Sequence, residues 1–247
     1  MSDEQKLGGA ALYLRHVEDT SVPLILNIIG LESVKSKNEE EAFTCFQAAA
    51  QQGYSKAQFN TAVCYEKGQG VKKDKDKALY YYCQAAVRGH TQAQYRYAKL
   101  LLTSRGNQSL EELNTVINLL ERAAAAGLTK AQVCLASVYS QEPVRDGSKS
   151  VQYLRMAAES GDDNALLFLG QCYESGFGVQ QNLTTANELY ERAAQAGNKQ
   201  AKKLLTPHSK DDAVLHSIHS SPCLSLTDHW LQQPLSHLAR CVPLPTS

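Results

Sequence analysis

Apolar and small residues recur along most of the chain at the three- and four-residue spacing that places side chains on one face of an α-helix. Five alanine-rich segments each end at a glycine, in order Gly53, Gly89, Gly127, Gly161 and Gly197, and the intervals between these glycines are 36, 38, 34 and 36 residues. A period of this length is typical of helical-repeat proteins. The pattern therefore predicts an array of helix pairs.

Large and small side chains keep fixed distances from these glycines. Seven residues before each glycine stands a large side chain, in order Phe46, Tyr82, Leu120, Leu154 and Tyr190. Four residues after each glycine stands an alanine, in order Ala57, Ala93, Ala131, Ala165 and Ala201. Small residues on a helix let a neighbouring helix approach closely, and glycine adopts the left-handed conformation that ends a helix. Each period is thus interpreted as a first helix, a turn and a second helix.

The same spacing gives the boundaries of the elements. First helices are predicted at 56–67, 91–103, 129–140 and 163–175, and second helices at 75–88, 110–126, 148–160 and 183–196. An additional helix is predicted at 38–52, and a short final helix at 199–205. The predicted domains are a disordered start at 1–9, an N-terminal apolar self-association segment at 10–37, a repeat solenoid at 38–206 and a disordered tail at 207–247. The fold class is therefore all-α.

The segment before the repeats carries a long apolar stripe. Its members at helical spacing include Val17, Leu24, Ile25, Ile28 and Ile29. One interpretation is that this segment folds back and covers the open end of the array, as terminal units of repeat proteins do. The other is self-association, because the stripe is wider than a single contact face needs. Both interpretations stay open, and both can hold together.

Two residues predict where the helix of this segment begins. Ser21 is a suitable N-cap, and Pro23 fits the first turn, where its missing N–H costs nothing. The sequence therefore predicts that Pro23 starts a helix.

Charge and composition exclude several classes of function. The chain has 25 basic and 25 acidic residues, so no basic surplus is available for binding nucleic acid. No apolar run approaches the ~20 residues that cross a bilayer, so no membrane insertion is expected. The first residues resemble neither a secretory signal nor a mitochondrial presequence. The seven cysteines form no CxxC pair, which favours a reducing compartment.

The chain shows no sequence motif of a catalytic or cofactor-binding site. It lacks a phosphate-binding loop, a nucleophile elbow and a zinc-protease helix, so no catalytic residue and no cofactor is predicted. Five of the seven histidines lie in the tail at 207–247, where His216, His219 and Cys223 are possible zinc ligands. A fourth ligand at a suitable spacing is missing, so no metal site is predicted.

Candidate residues for binding a protein partner lie on the predicted helices. The second helix at 75–88 carries Tyr80 and Tyr81 beside the core residue Tyr82. The inward side of the first helices is expected to present Asn60, Gln94, Arg96 and Gln132. These six residues are the predicted partner-binding set.

Several motifs resemble the Sel1-like subfamily of tetratricopeptide-type repeats. They are ALYYYCQAAVRGHTQAQYRYA at 78–98, GQGV at 68–71 and GFGV at 176–179. The resemblance covers roughly 39–205 and implies a helical solenoid that binds other proteins. The loops after Leu102 and Ser140 depart from the Gly-x-Gly-Val turn, and we expect them to differ in shape.

A narrower resemblance joins NIIGLESVKS at 27–36, AFTCFQAAAQQGYSKAQFN at 42–60 and LGQCYESGFGVQQNL at 169–183. Together these segments resemble the C-terminal part of a family of mitochondrially targeted stress messengers that enhance death-ligand signalling. The resemblance implies a mitochondrial parent protein and a cleaved C-terminal fragment that acts in the cytosol. It also implies that the fragment is a homo-oligomer and activates the haem-regulated initiation-factor kinase.

Two non-enzymatic functions are therefore expected. The first is a self-associating scaffold that activates this kinase and relays mitochondrial stress to the integrated stress response. The alternative is a monomeric adaptor that binds a partner peptide or helix on its concave face. An enzyme is the least supported function, because no nucleophile constellation or metal spacing is present.

Overall fold

The structure is a computed structural model that describes residues 3–103 and 109–205, with few of the side chains before residue 21. Every described element is a helix. The helices are α1 (Asp3–Lys35), α2 (Glu39–Gln51), α3 (Ser55–Lys67), α4 (Lys75–Val87), α5 (Thr91–Thr103), α6 (Leu110–Ala125), α7 (Thr129–Val138), α8 (Gly147–Glu159), α9 (Asp163–Ser175), α10 (Leu183–Gln195) and α11 (Lys199–Leu204). The all-α repeat fold is confirmed, and the boundaries predicted for α2 to α11 agree with the structure within two residues.

The described chain forms two compact units that divide between Leu100 and Leu101. In the first unit α1 packs on α2, α2 on α3 and α3 on α4. In the second unit each helix from α6 to α10 packs on the next one along the chain, which ends at α11. Sequential helices are thus spatial neighbours within each unit, which is the arrangement of stacked helix pairs.

The repeated positions are all part of the core. The five alanines that follow the glycines have no exposed area, and the five large residues that precede them are at most 5% exposed. The helix-ending glycines all have φ between 82° and 106°. Since this is the left-handed region, which glycine adopts without a steric penalty, the predicted helix ends are confirmed.

The second glycine of the Gly-x-Gly-Val turn has a separate role. Gly70 has φ of 66°, and a Cβ atom there would overlap the main-chain carbonyl of Glu39 at the start of α2. In the second unit a Cβ atom at Gly178 would overlap the carbonyl of Gly147 at the start of α8. The turn is therefore pressed against the beginning of the preceding second helix, and no larger residue fits there.

The start of α1 corrects two predictions. Residues 3–9 are helical, whereas the sequence predicted a disordered start at 1–9, and Pro23 lies inside α1 instead of starting a helix. An internal proline costs about 3 kcal/mol and one main-chain hydrogen bond. Once packing has fixed the later turns, each added residue gains a hydrogen bond, so the helix extends on both sides of Pro23.

Several predictions concern residues outside the described ranges. These are the disordered tail at 207–247 and most of the divergent loop that follows Leu102. The other divergent loop, after Ser140, is described and contains a cis peptide bond between Glu142 and Pro143.

Candidate self-association and partner-binding surface

The C-terminal half of α1 is packed against α2 and α3. Leu26 contacts the cluster formed by Ala49, Ala50 and Ala57 of α2 and α3. The buried Asn27 accepts a hydrogen bond at its Oδ1 from Nδ2 of Asn60, at 2.9 Å. These contacts confirm that α1 covers the repeats, as the first interpretation of this segment predicted.

Gly30 shows that α1 takes the place of a first helix in a repeat. A Cβ atom at Gly30 would lie 2.6 Å from Cε1 of Phe46, the large core residue of α2. In the second unit a Cβ atom at Gly170 of α9 would lie 2.5 Å from Cε1 of Tyr190, the corresponding core residue of α10. Both glycines therefore let a first helix approach the ring of its own second helix.

The correspondence with α9 identifies the side of α1 that no other described helix covers. In α9 the residues five and one before the glycine are Ala165 and Leu169, which are 0% and 6% exposed. In α1 the same positions are Ile25 and Ile29, which are 52% and 42% exposed. Ala165 and Leu169 belong to a core cluster that also contains residues of α8, the preceding helix. No such helix precedes α1 in the part of the chain that the structure describes.

The predicted self-association residues share this exposed side. Leu24 and Ile28 are 43% and 49% exposed, and Val17 is 39% exposed. Further large apolar residues of α1 with high exposure are Leu12, Val22, Leu31 and Val34. Several exposed apolar side chains on one side of a helix are typical of an interaction site. Self-association itself stays a prediction.

The two predicted recognition tyrosines belong to an aromatic cluster. The ring of Tyr81 stacks on Tyr65 with 5.9 Å between centroids and packs against the core of the first unit. Tyr80 meets Tyr81 edge to face at 5.3 Å, and Phe43 meets Tyr65 in the same way at 5.2 Å. Burial, followed by the proximity of Tyr65, raises the pKa of the Tyr81 hydroxyl. Tyr81 thus has a packing role, and both tyrosines remain half-buried.

Two of the predicted partner-binding residues are buried, which corrects that prediction. Gln94 and Gln132 are 3% and 4% exposed, and Nε2 of each donates to the carbonyl oxygen eight residues earlier, at 3.4 Å. Gln58 makes the same bond at 3.3 Å. The glutamine follows the contact alanine by one residue, so its side chain enters the junction with the preceding second helix.

Arg96 and Asn60 are half-buried and already have partners. Nη1 of Arg96 lies 3.6 Å from Oε1 of Glu66, while Asn60 bonds Asn27. The Glu66 carboxylate also accepts a hydrogen bond from the Tyr82 hydroxyl at 2.6 Å. Burial and this bond raise the pKa of Tyr82. Arg96 and Asn60 keep part of their surface available to a partner.

The tyrosine–glutamate pair repeats in the second unit and was missed from the sequence. The hydroxyl of Tyr190 donates to Oε2 of Glu174 at 2.6 Å, and the two residues are again 16 apart. The sequence does contain a signal for this pair. Only the two repeats with tyrosine at the large core position have glutamate 16 residues earlier. The α1–α2 pair has Phe46 at the large core position. Its counterpart of Glu174, counted as the fourth residue after the glycine shared by α1 and α9, is Val34.

No site for a cofactor or metal emerges from the described residues. Within 3–103 and 109–205, no three His, Cys, Asp or Glu side chains are grouped so that they could hold a metal ion. The tail candidates His216, His219 and Cys223 lie outside these ranges. A search of the same residues finds no helix with the length and apolar character to cross a membrane.

Stacked helix pairs with alanine contact positions define a helical-repeat scaffold, a class of protein whose extended surfaces bind other proteins. The Sel1 repeat model matches residues 30–54, 55–90, 132–162 and 163–198, and the chain belongs to the Sel1 repeat family. The first match begins at Gly30, in agreement with the role of α1 as a first helix. Sel1 repeats imply a protein partner for this chain.

The relatives agree with the narrower resemblance. The chain is 42% identical over 196 residues to DAP3-binding cell death enhancer 1 of Mus musculus, which covers 79% of this chain and 38% of that relative. It is 31% identical over 174 residues to the chitin synthase regulator SKT5 of Saccharomyces cerevisiae. That match covers 66% of this chain and 25% of the relative. The predicted resemblance to a Sel1-like part of a death-signal enhancer is thus confirmed, and the chain spans well under half the length of these relatives.

The fold also has a solved counterpart. A Sel1 repeat protein from Oxalobacter formigenes superposes with a TM-score of 0.68 at 31% sequence identity. The match covers 80% of this chain and 88% of that one. The likeness extends over most of the described helices.

Proposed function

We propose that this chain is a non-enzymatic signalling scaffold that self-associates through the exposed side of α1 and binds and activates the haem-regulated initiation-factor kinase. In this role it relays mitochondrial stress to the integrated stress response. The observation that carries self-association is the exposed apolar side of α1 around Leu24, Ile25, Ile28 and Ile29. The cell-death relative supports a signalling role.

The energetics favour a contact that uses most of this side. Full burial of one leucine or isoleucine contributes roughly 1.5–3 kcal/mol, and about half of each side chain is still exposed in the single chain. Eight such side chains from two copies therefore contribute about 6–12 kcal/mol, against an association cost on the order of 4–15 kcal/mol. Four residues per copy are close to the minimum, so we expect the contact to extend along α1.

The test combines assembly with activation. The absolute mass of the chain is measured by light scattering at several concentrations, for the wild type and for a Leu24→Glu, Ile28→Glu variant. Activation is measured as phosphorylation of the initiation factor by the purified kinase. We expect an oligomer that becomes a folded, non-activating monomer in the variant.

The control is Leu183→Glu, which places the same charge at an apolar residue of α10 that is 59% exposed. It should leave both mass and activation unchanged. An unchanged mass in the double variant would contradict self-association through α1. A dissociated variant that still activates the kinase would separate assembly from activation.

A second candidate function is a monomeric adaptor that binds a partner peptide or helix on the surface of the first helices. It is favoured by the partial exposure of Asn60 and Arg96. The relative's name makes DAP3 a suitable probe, alongside the kinase. A pull-down with Asn60→Ala, Arg96→Ala chains should lose the partner, with Arg88→Ala as the control. Retained binding would contradict this candidate.

The proposed location follows the resemblance. The parent protein is proposed to be mitochondrial, and the fragment is proposed to act in the cytosol after cleavage. Fractionation of cells with and without mitochondrial stress, followed by detection of this part of the chain, tests that location. A fragment that stays with mitochondria under stress would contradict it.

A further inference from the structure

The residue that follows the helix-ending glycine differs from repeat to repeat. In chain order the five residues are Tyr54, His90, Leu128, Asp162 and Asn198. Each lies at the N-terminus of a first helix. Tyr54 and Leu128 make no side-chain bond to the helix, whereas Asp162 and Asn198 accept main-chain N–H groups at their side-chain oxygens.

His90 caps its helix with a ring nitrogen. Its Nδ1 accepts the main-chain N–H of Ala93 at 3.2 Å, and its carbonyl accepts the N–H of Gln94 at 3.0 Å. The bond at Nδ1 requires a lone pair there, so the neutral ring carries its proton on Nε2. The ring also stacks on Phe59 of α3, with 4.7 Å between centroids and an angle of 21°.

Protonation reverses the character of this cap. A protonated Nδ1 is a donor that faces another donor, the N–H of Ala93. The new positive charge also lies at the N-terminus of α5, where the helix dipole disfavours a cation. A neutral cap such as Asn198 does not change in this way between pH 5 and 8.

A nearby positive charge also opposes protonation of His90. Lys56 acts on it from α3, whereas the guanidinium of Arg88, in the connection from α4, is bound to Gln84. The first turn of α5 contributes no charged side chain, and Phe59 is neutral. Burial, followed by Lys56, lowers the pKa of His90 below its usual 6.5.

We propose that His90 is a proton-sensitive cap, which holds the start of α5 in place when the imidazole is neutral and releases it when the imidazole is protonated. Release frees the ring of Phe59 and loosens α5, the helix that carries Arg96. Acidification would therefore weaken the pairing of Arg96 with Glu66 on the surface of the first helices.

The direction of the pH dependence follows from the lowered pKa. Between the folded pKa and about 6.5, the unfolded state binds more protons than the folded state. The contribution of the cap is complete above pH 6.5 and is lost as the pH falls through the folded pKa.

The test uses amide exchange and NMR on the full chain. The protection factor of the Ala93 amide is measured from pH 7.5 to 5.0, in the wild type and in His90→Asn, which installs the cap that Asn198 provides elsewhere. We expect wild-type protection to fall about fivefold, the factor produced by loss of a typical N-cap, and the variant to stay level.

The imidazole signals of the wild type give an independent reading. The His90 signal, identified by its loss in His90→Asn, should show Nε2 protonated and a midpoint below 6.5. A proton on Nδ1 at neutral pH, a midpoint at or above 6.5, or an equal fall of Ala93 protection in His90→Asn would each overturn the proposal. If the variant does not fold, the His90 ring is identified through the main-chain signals of the wild type, and its tautomer and midpoint decide the matter.

Discussion

Helices α1 and α9 place a glycine against the aromatic core residue of the next helix in the same way, yet they differ on the opposite side. In α9 the positions of Ala165 and Leu169 are buried in a core cluster shared with α8, whereas in α1 the matching Ile25 and Ile29 are exposed. One side of a first helix is therefore buried in the core when another helix precedes it, and is exposed as a candidate contact surface when none does.

The largest expected effect on stability comes from shortening an apolar side chain on this side of each helix to alanine. Leu169→Ala should lower the free energy of unfolding by about 2–5 kcal/mol, because it opens a cavity in a packed core. Ile29→Ala should lower it by less than about 1 kcal/mol and instead weaken association. Urea denaturation and light scattering measure the two quantities. Equal losses of stability would contradict the difference between α1 and α9.

Alanine at the shared glycines tests what the two helices have in common. Helix propensity alone would favour Gly30→Ala and Gly170→Ala by about 1 kcal/mol. The added Cβ atom meets the ring of Phe46 or Tyr190, so we expect a net loss of about 1–3 kcal/mol from overpacking. Denaturation measures this loss, with Lys35→Ala on exposed helix as the control. A gain in stability at both glycines would show that the rings are free to move.

The hydrogen-bonded tyrosine–glutamate pair is present beside α9 and absent beside α1. Tyr190→Phe removes the bond to Glu174 and should cost about 1–2 kcal/mol. The α1–α2 pair contains phenylalanine and valine at these positions, so adding Glu174→Val should recover part of the loss. A double-mutant cycle by denaturation measures the coupling, and Tyr80→Phe is the control. Strictly additive effects would contradict a direct coupling.

The smallest effect concerns the tyrosine near the end of the first helices, where α1 has Ser33 instead. Burial, followed by the nearby carboxylate of Glu121, raises the pKa of Tyr139 to about 12. The unfolded tyrosine titrates near 10, so the contribution is complete below pH 10 and is lost as the pH rises towards 12. Stability measured from pH 9 to 11.5 should fall less steeply in Tyr139→Phe. Parallel curves would contradict the shift.

Most of the fold was predictable because each repeat has the same spacing of glycine, alanine and large apolar residues. Five copies of one spacing identified the contact alanines, the core residues and the helix ends. Pro23 shows where local rules fail, since its helix is held by packing further along the chain. Gln94 and Gln132 show the same limit for the candidate site, because a polar residue beside a contact alanine predicts exposure, whereas the preceding helix buries both side chains.

The sequence by itself determined the repeat, its helices and the apolar stripe of α1, because these depend on spacing along one helix. Only the tertiary structure decided which side of α1 is covered, which glutamines are buried and which tyrosines bond a glutamate. Those outcomes depend on which helix lies alongside, and burial is a property of that neighbour as much as of the residue. The exposed side of α1 is apolar by sequence, and it is a candidate contact surface because no described helix lies on it.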